Sequence, residues 1–278
     1  CVEFLSETYS HSLASLKDKT IFEEQVKLHD QKIFELFGQK PKVFRNTEMI
    51  YSDEIGAQIY HMGYKGMLTE GARHILGWKS PNFLYVNAHN PRLKVLMRNF
   101  KLSDDISFRF SNSNWSEYPL TAEKFTGWLK KLDPKEEVVN LFLSYESFGE
   151  RQLKESGIFS FLEHWVTLAD KEKSLNFSTP SEVIDRLQPV SVVSVPHPIS
   201  WADEERDLTA WLGNEMQKEA FEKLYSLRQR MAGCNHPELM KDWNYLQISD
   251  HFYYMSTKFF SNGQVPVSYT HLRAHETV

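Results

Sequence analysis

The side chains best suited to chemistry are carboxylates placed directly behind apolar runs. Phe44-Arg45-Asn46-Thr47-Glu48-Met49-Ile50-Tyr51 sets Glu48 after a short segment that reads as a strand. A carboxylate in that place sits at the C-terminal rim of a parallel barrel, where such folds carry their active sites. Arg45, Asn46 and Tyr51 are near enough in sequence to orient it and hydrogen-bond to it. Glu54 and Glu70 are the competing carboxylates, and a surface glutamate opening the next helix is the alternative reading of Glu48. A second stretch, Leu141-Phe142-Leu143-Ser144-Tyr145-Glu146-Ser147-Phe148-Gly149-Glu150, places Ser144 and Glu146 two residues apart, on one face of an extended strand. A third, Ser249-Asp250-His251-Phe252-Tyr253-Tyr254-Met255, offers an Asp-His pair among aromatics. In isolation His251 reads as a hydrogen-bonded core histidine.

These residues need a scaffold, and the surrounding pattern supplies one. Ser15 to Phe37 has a helical period, with Ile21, Val26, Leu28, Ile33, Leu36 and Phe37 largely on one side and Gly38 as its stop. Lys42 to Thr47 predicts a strand, and Ser52 to Met62 a helix opened by Ser52 and acids. Val2 to Leu5, Tyr64 to Thr69 and Asn82 to Val86 read as further strands, and Thr121 to Leu132 as a helix capped by Thr121. Val138 to Leu143 is a nearly all-apolar run of the kind buried on both faces of a parallel sheet. Helices from about Glu155 to Ala169 and from Pro180 to Leu187 follow, then a proline-punctuated connector, Gln188 to Pro198. Beyond Trp201 the chain turns helical: Asp203-Glu204-Glu205 opens one helix, Asn214 to Met231 forms another, and Pro237 to Phe260 a third. Strand-helix alternation predicts a parallel α/β sheet or barrel over residues 1–190, with a helical region over 191–265 packed on it. The last segment, Pro266 to Val278, matches one reading frame of a common transposase sequencing adapter and is expected to be a non-native tail.

Composition narrows the function classes. The 278 residues are 41% hydrophobic, enough for a full core. A net charge of −5 argues against nucleic acid or an anionic membrane as partner. No apolar run approaches the roughly 18–20 residues that span a bilayer. Cys1 and Cys234 are too few for a disulfide framework and have no metal-type spacing. The histidines are scattered singly, with no His-x3-His pair of the metal-dependent deacetylase kind, so neither metal nor cofactor is expected. With 7 Trp, 12 Tyr and 19 Phe, aromatics are abundant enough to pack a core and still face sugar rings.

The three motifs together resemble the signatures of glycoside hydrolase family 57, in its α-amylase branch, and the likeness runs from the first residue to about Gly263. It implies an incomplete parallel (β/α)-barrel followed by a helical region, acting on an α-1,4-glucan or malto-oligosaccharide in the cytoplasm. It makes Glu48 the nucleophile of a retaining mechanism. In the family the second motif reads Asp-Tyr-Glu-Thr-Phe-Gly-Glu-His, and that Asp is the general acid/base; here Ser144 holds its place and Arg151 that of the His. A serine hydroxyl does not deliver a proton as a carboxylic acid does, which leaves Glu146 as a possible substitute. A non-catalytic glucan-binding homologue is therefore the alternative. Val2-Glu3-Phe4-Leu5 through His11 resembles the family's second signature, putting Glu3 and His11 beside the cleft. Asp250 and His251 match the last signature, and the segments around Trp78 and Trp201 match amylase-branch loops. Glu3, His11, Arg45, Tyr51, Trp78, Trp201, Asp250 and His251 are thus the expected substrate contacts. Glu48, Ser144 and His251 should gather at one end of the sheet.

Overall fold

The computed structural model describes residues 2–258; the expected tail and the end of the third predicted helix lie outside that range. Its centre is a sheet of five strands: β1 (Val43–Arg45), β2 (Gly66–Glu70), β3 (Leu84–Asn87), β4 (Lys94–Arg98) and β5 (Ser191–Val193). Their order is β1-β2-β4-β3-β5, parallel throughout except where β3 and β4 pair antiparallel. Residues 2–5 form no strand; the segment joins the sheet through one parallel bridge, Ser6 to Phe44.

The helices begin and end where local chemistry dictates. Helix α1 (Lys19–Phe37) starts on Asp18, whose carboxylate accepts from the Thr20 and Ile21 amides, and stops at Gly38 with φ 65°. Only its first half is buried. Ile21, Phe22 and Val26 face the core, whereas Leu28, Leu36 and Phe37 are exposed, with Phe37 stacked on Phe4. Ser52 caps α2 (Asp53–His61), and α3 (Arg73–Leu76) follows β2. After β4 come α4 (Phe100–Asp104), a π turn over Asp105–Arg109, and α5 (Ala122–Lys130), capped by Thr121. Helices α6 (Ile158–Lys171) and α7 (Pro180–Arg186) lead to β5. A capping box of Thr179 and Glu182 starts α7.

Two sequence expectations are corrected here. Val138 to Leu143 forms no strand; its backbone meets that of the sheet only past the end of β4, where the Asn99 amide donates to the Asn140 carbonyl at 2.9 Å. The segment instead runs extended between two cores. Val138 and Phe142 pack into the cluster of Val43, Leu68, Leu84 and Leu96, whereas Val139, Leu141 and Leu143 pack into that of Phe125, Phe161 and Trp165. Burial on both faces was the correct inference and strand pairing was not. Conversely, the expected connector Gln188 to Pro198 contains β5, which pairs with β3.

The C-terminal portion is helical, but in shorter pieces than expected: α8 (Thr209–Leu212), α9 (Glu215–Ser226), α10 (Arg228–Ala232), α11 (Pro237–Leu246) and α12 (Ser249–Tyr253). Asp203-Glu204-Glu205 opens no helix, since Asp203 and Arg206 have φ 53° and 54° and the chain turns there. Trp211, Phe221, Tyr225, Trp243 and Phe252 share one core with Phe44, Met67 and Val95 of the sheet. No helix among the described residues is long and apolar enough to cross a membrane.

Candidate active site

Glu48 follows β1 inside a single 3-10 turn, Thr47–Met49, and it is strained. Glu48 and Met49 have φ 54° and 56°, a left-handed conformation that costs an L-residue roughly 1–2 kcal/mol. Asn46 holds the turn shut, donating to the Ile50 carbonyl at 3.0 Å and to Ser15 Oγ at 2.9 Å. The described non-glycine residues with positive φ are His11, Glu48, Met49, Asp203 and Arg206, and all five lie in the segments that meet around Glu48 and Trp201. Strain of this kind clusters at functional sites.

The Glu48 carboxylate is fixed from both sides. His11 Nε2 lies 3.0 Å from Oε1, with Ser249 Oγ at 3.5 Å, and Trp201 Nε1 donates to Oε2 at 2.7 Å. The Trp201 amide also donates to the Glu48 carbonyl at 3.2 Å. Arg45 stacks its guanidinium 5.1 Å from the Trp201 ring centroid and bonds Glu7 Oε2 at 2.9 Å. Burial pushes the Glu48 carboxyl up, but His11, Trp201 and Arg45 outweigh it and hold the group below the usual carboxylate range. Burial alone would lower His11; Glu48 and Glu7 instead raise it to about 9. At neutral pH the pair is therefore carboxylate and imidazolium. An ionised carboxylate whose charge is held in place can attack an electrophilic carbon, and it cannot donate a proton.

Ser144 starts another 3-10 turn, Tyr145–Ser147, accepting the Glu146 amide at 3.3 Å. Glu146 is exposed and pairs with Arg151 at 3.0 Å. Asp250, on α12, connects the two regions. Burial raises its carboxyl, and the negative charges of Glu48 and Glu146 raise it further. The neighbouring Ser249 amide donates to the His11 carbonyl at 3.0 Å, which seats the start of α12 against the Glu48 pair.

Of the expected contacts, His11, Arg45 and Trp201 touch Glu48 or its partners, and Asp250 lies within the field of Glu48. The others have different partners. His251 Nε2 faces the Tyr245 carbonyl at 3.1 Å. Tyr51 is fully buried, its hydroxyl accepting from Asn87 Nδ2 at 2.7 Å. The Glu3 carboxylate accepts the Ser181 amide at 2.8 Å, at the start of α7. Trp78 is 92% exposed on the loop after α3.

Two features escaped the sequence reading. One is Glu7, legible only as the fourth residue before His11. The other is a buried ion network at the ends of β2 and β4. Arg98 bonds Glu70 at 3.0 Å and Asp104 at 2.5 Å, while Arg206 lies 3.3 Å from Asp104. Glu70, the competing carboxylate, is thus fully buried between arginines. Among the described residues no group of three His, Cys, Asp or Glu could hold a metal ion. A cavity of about 330 Å³ between α5 and α6 is lined by Phe110, Tyr118, Phe161 and His164 and by none of the residues above.

Comparison with known proteins gives this geometry its context. A protein of Methanocaldococcus jannaschii described as "Putative alpha-amylase" is 43% identical over 281 residues, covering 97% of this chain and 59% of its own length. The chain thus spans about three fifths of that relative. Among solved structures, a GH57 branching enzyme from Thermococcus kodakaraensis superposes with a TM-score of 0.70 at 16% identity, over 92% of this chain and 62% of that one. An alpha-amylase from Thermotoga maritima gives 0.63 at 13%, over 98% and 65%. The 4-alpha-glucanotransferase from Thermococcus litoralis gives 0.60 at 16%, over 82% and 35%. The α/β fold is the incomplete (β/α)-barrel type of these enzymes, with its helical region following. The profile of glycosyl hydrolase family 57 matches residues 1–196, and this chain belongs to that family.

Proposed function

We propose that this chain carries the cleavage site of an α-amylase-type retaining glycosidase with Glu48 as nucleophile. The observation that supports it best is the Glu48 carboxylate clamped between an imidazolium at 3.0 Å and an indole N–H at 2.7 Å, on a strained turn behind a parallel strand. In such a mechanism one Glu48 oxygen bonds to the anomeric carbon as the glycosidic bond breaks. A second carboxyl, roughly 5 Å away, protonates the departing oxygen and later draws a proton from the attacking water. The relatives described as alpha-amylase and 4-alpha-glucanotransferase make an α-glucan the natural substrate class. Ser144 is the weak point, because its hydroxyl cannot act as the acid, so substrates whose leaving groups need no proton should react best.

A glucosyl fluoride bearing a second fluorine on its ring tests this directly. Glu48 bonds to the anomeric carbon, the carbon–fluorine bond breaks and fluoride leaves without protonation, so a stable ester accumulates. Peptide mass spectrometry should find the sugar on Glu48 and no labelled peptide in Glu48→Gln. A label on another carboxylate, or none, would overturn the assignment. Ser144 itself favours a second reading, a glucan-binding homologue without catalysis. That reading gains if malto-oligosaccharides bind by calorimetry while the fluoride leaves no label.

A further inference from the structure

Glu48 and four side chains around it close on themselves. Glu48 Oε1 faces His11 Nε2 at 3.0 Å, and His11 Nδ1 faces Glu7 Oε1 at 3.5 Å. Glu7 Oε2 accepts from Arg45 Nη1 at 2.9 Å, Arg45 stacks 5.1 Å from the Trp201 ring centroid, and Trp201 Nε1 returns to Glu48 Oε2 at 2.7 Å. Glu7 is the member that touches both arms of the ring without touching Glu48.

Its placement is built rather than incidental. The Glu7 amide donates to His29 Nδ1 on α1 at 3.4 Å, and its carboxylate is gripped by Arg45 at the end of β1. His11 is held across from it by its own amide donating to the Thr8 carbonyl at 3.1 Å, in a left-handed conformation with φ 49°. Both nitrogens of the His11 ring thus point at carboxylate oxygens. A neutral imidazole donates from one nitrogen only, and an ionised carboxylate is an acceptor only. Both contacts can be satisfied at once only by the cation.

We propose that Glu7 is a positioning residue of the Glu48 site: its carboxylate keeps His11 in the imidazolium form, turned to present Nε2–H to Glu48, and keeps Arg45 stacked on Trp201. This role rests on reading Glu48 as the nucleophile. When Glu48 gives up its charge in forming an ester, a fixed cation beside it makes the carboxylate a better leaving group in the second step. The charged groups that act on His11 are Glu7 from its own segment, Glu48 behind β1 and Asp250 on α12; Arg45 acts on it through Glu7 and Glu48. The ionisation of Glu7 itself is secure. Burial raises its carboxyl, but His11 and Arg45 bring it down to about 2.

The test is an NMR titration of the His11 ring in the whole chain, with the resonance assigned by its loss in His11→Gln. The parent should titrate near 9. Glu7→Gln should fall by roughly one pH unit or more as one of two neighbouring anions is removed, and Glu7→Asp, which keeps the charge, should stay near the parent. In parallel, the alkaline limb of the fluoride trapping rate should move down with the titration in Glu7→Gln. A parent His11 that titrates near an ordinary histidine overturns the proposal without any variant, and so does an unchanged titration in Glu7→Gln. If the titration moves and the trapping limb does not, Glu7 does not act on Glu48. If the parent is never labelled, the glycosidase reading fails, and the His11 titration alone still decides whether Glu7 governs this pair.

Discussion

The contacts of Glu48 set its charge and Ser144 is not among them, so restoring a proton donor and disturbing the anion can be told apart. On the proposed reading, Ser144→Asp puts a carboxyl where the general acid would stand. General acid catalysis is worth about 10²–10⁴ in rate, so starch hydrolysis, measured as reducing-sugar release, should rise by that order. Cleavage of an activated aryl glucoside should change little, because its leaving group departs unprotonated. Equal starch activity in parent and variant would mean that another carboxyl, Glu146 or Asp250, already donates. The same contacts link folding to pH. His11 is raised from 6.5 to about 9, so its contribution is complete below pH 6.5 and is lost as pH rises through 9. Melting temperature should therefore decline across that window in the parent and decline less in His11→Gln. That Glu48 and Trp201 belong together was anticipated through runs that resemble family signatures, since the spacing of Glu48 alone suits a surface glutamate equally and Trp201 alone suits core packing. Tyr51 and Glu3 come from equally suggestive runs, yet one hydrogen-bonds Asn87 in the core and the other accepts from Ser181. Which way a side chain turns out of an irregular segment has no periodic signal, and Glu7 was missed for the same reason.

Among the elements, the junction of β2, β4 and the Trp201 loop depends on Arg98. It bonds Glu70, Asp104 and the Phe142 carbonyl, and its guanidinium lies 5.8 Å from the Trp201 ring centroid. Arg98→Met would leave Glu70 and Asp104 to share Arg206 alone, a loss of about 3–5 kcal/mol in urea unfolding, because removing one partner of a buried network leaves its charge under-compensated. Arg98→Met combined with Glu70→Gln should lose less than the two single changes summed. Gly71 shows how tight this junction is: a Cβ there would lie 2.2 Å from the Arg98 carbonyl oxygen. The caps Ser52 and Thr121 were readable because each acts within three residues, whereas Asp18 was passed over and α1 starts at Lys19 rather than near Ser15. The antiparallel entry of β3 beside β4 was not readable, since pairing between strands is a long-range choice.

On the scale of the whole molecule, the helical C-terminal portion and the sheet share one core rather than two. Trp211, 2% exposed on α8, sits in the same cluster as Phe44 and Val95. Trp211→Ala should therefore destabilise the entire unit, by about 3–5 kcal/mol for a large buried side chain. Circular dichroism of helix and of aromatic bands should then melt together in one transition; two separated transitions would mark independent domains. The open sheet has a consequence of another kind. β5 has β3 on one side and no strand on the other among the described residues, with Val190 and Val192 51% and 45% exposed. Such a margin is a template for a second molecule, and among the described residues the Lys79 ammonium and the Ser191 hydroxyl both donate to the Val192 carbonyl there. Handling in the laboratory should feel this first: light scattering should grow with concentration and heating before activity is lost. Val192→Lys should raise the concentration at which turbidity begins while leaving the fluoride trapping rate unchanged.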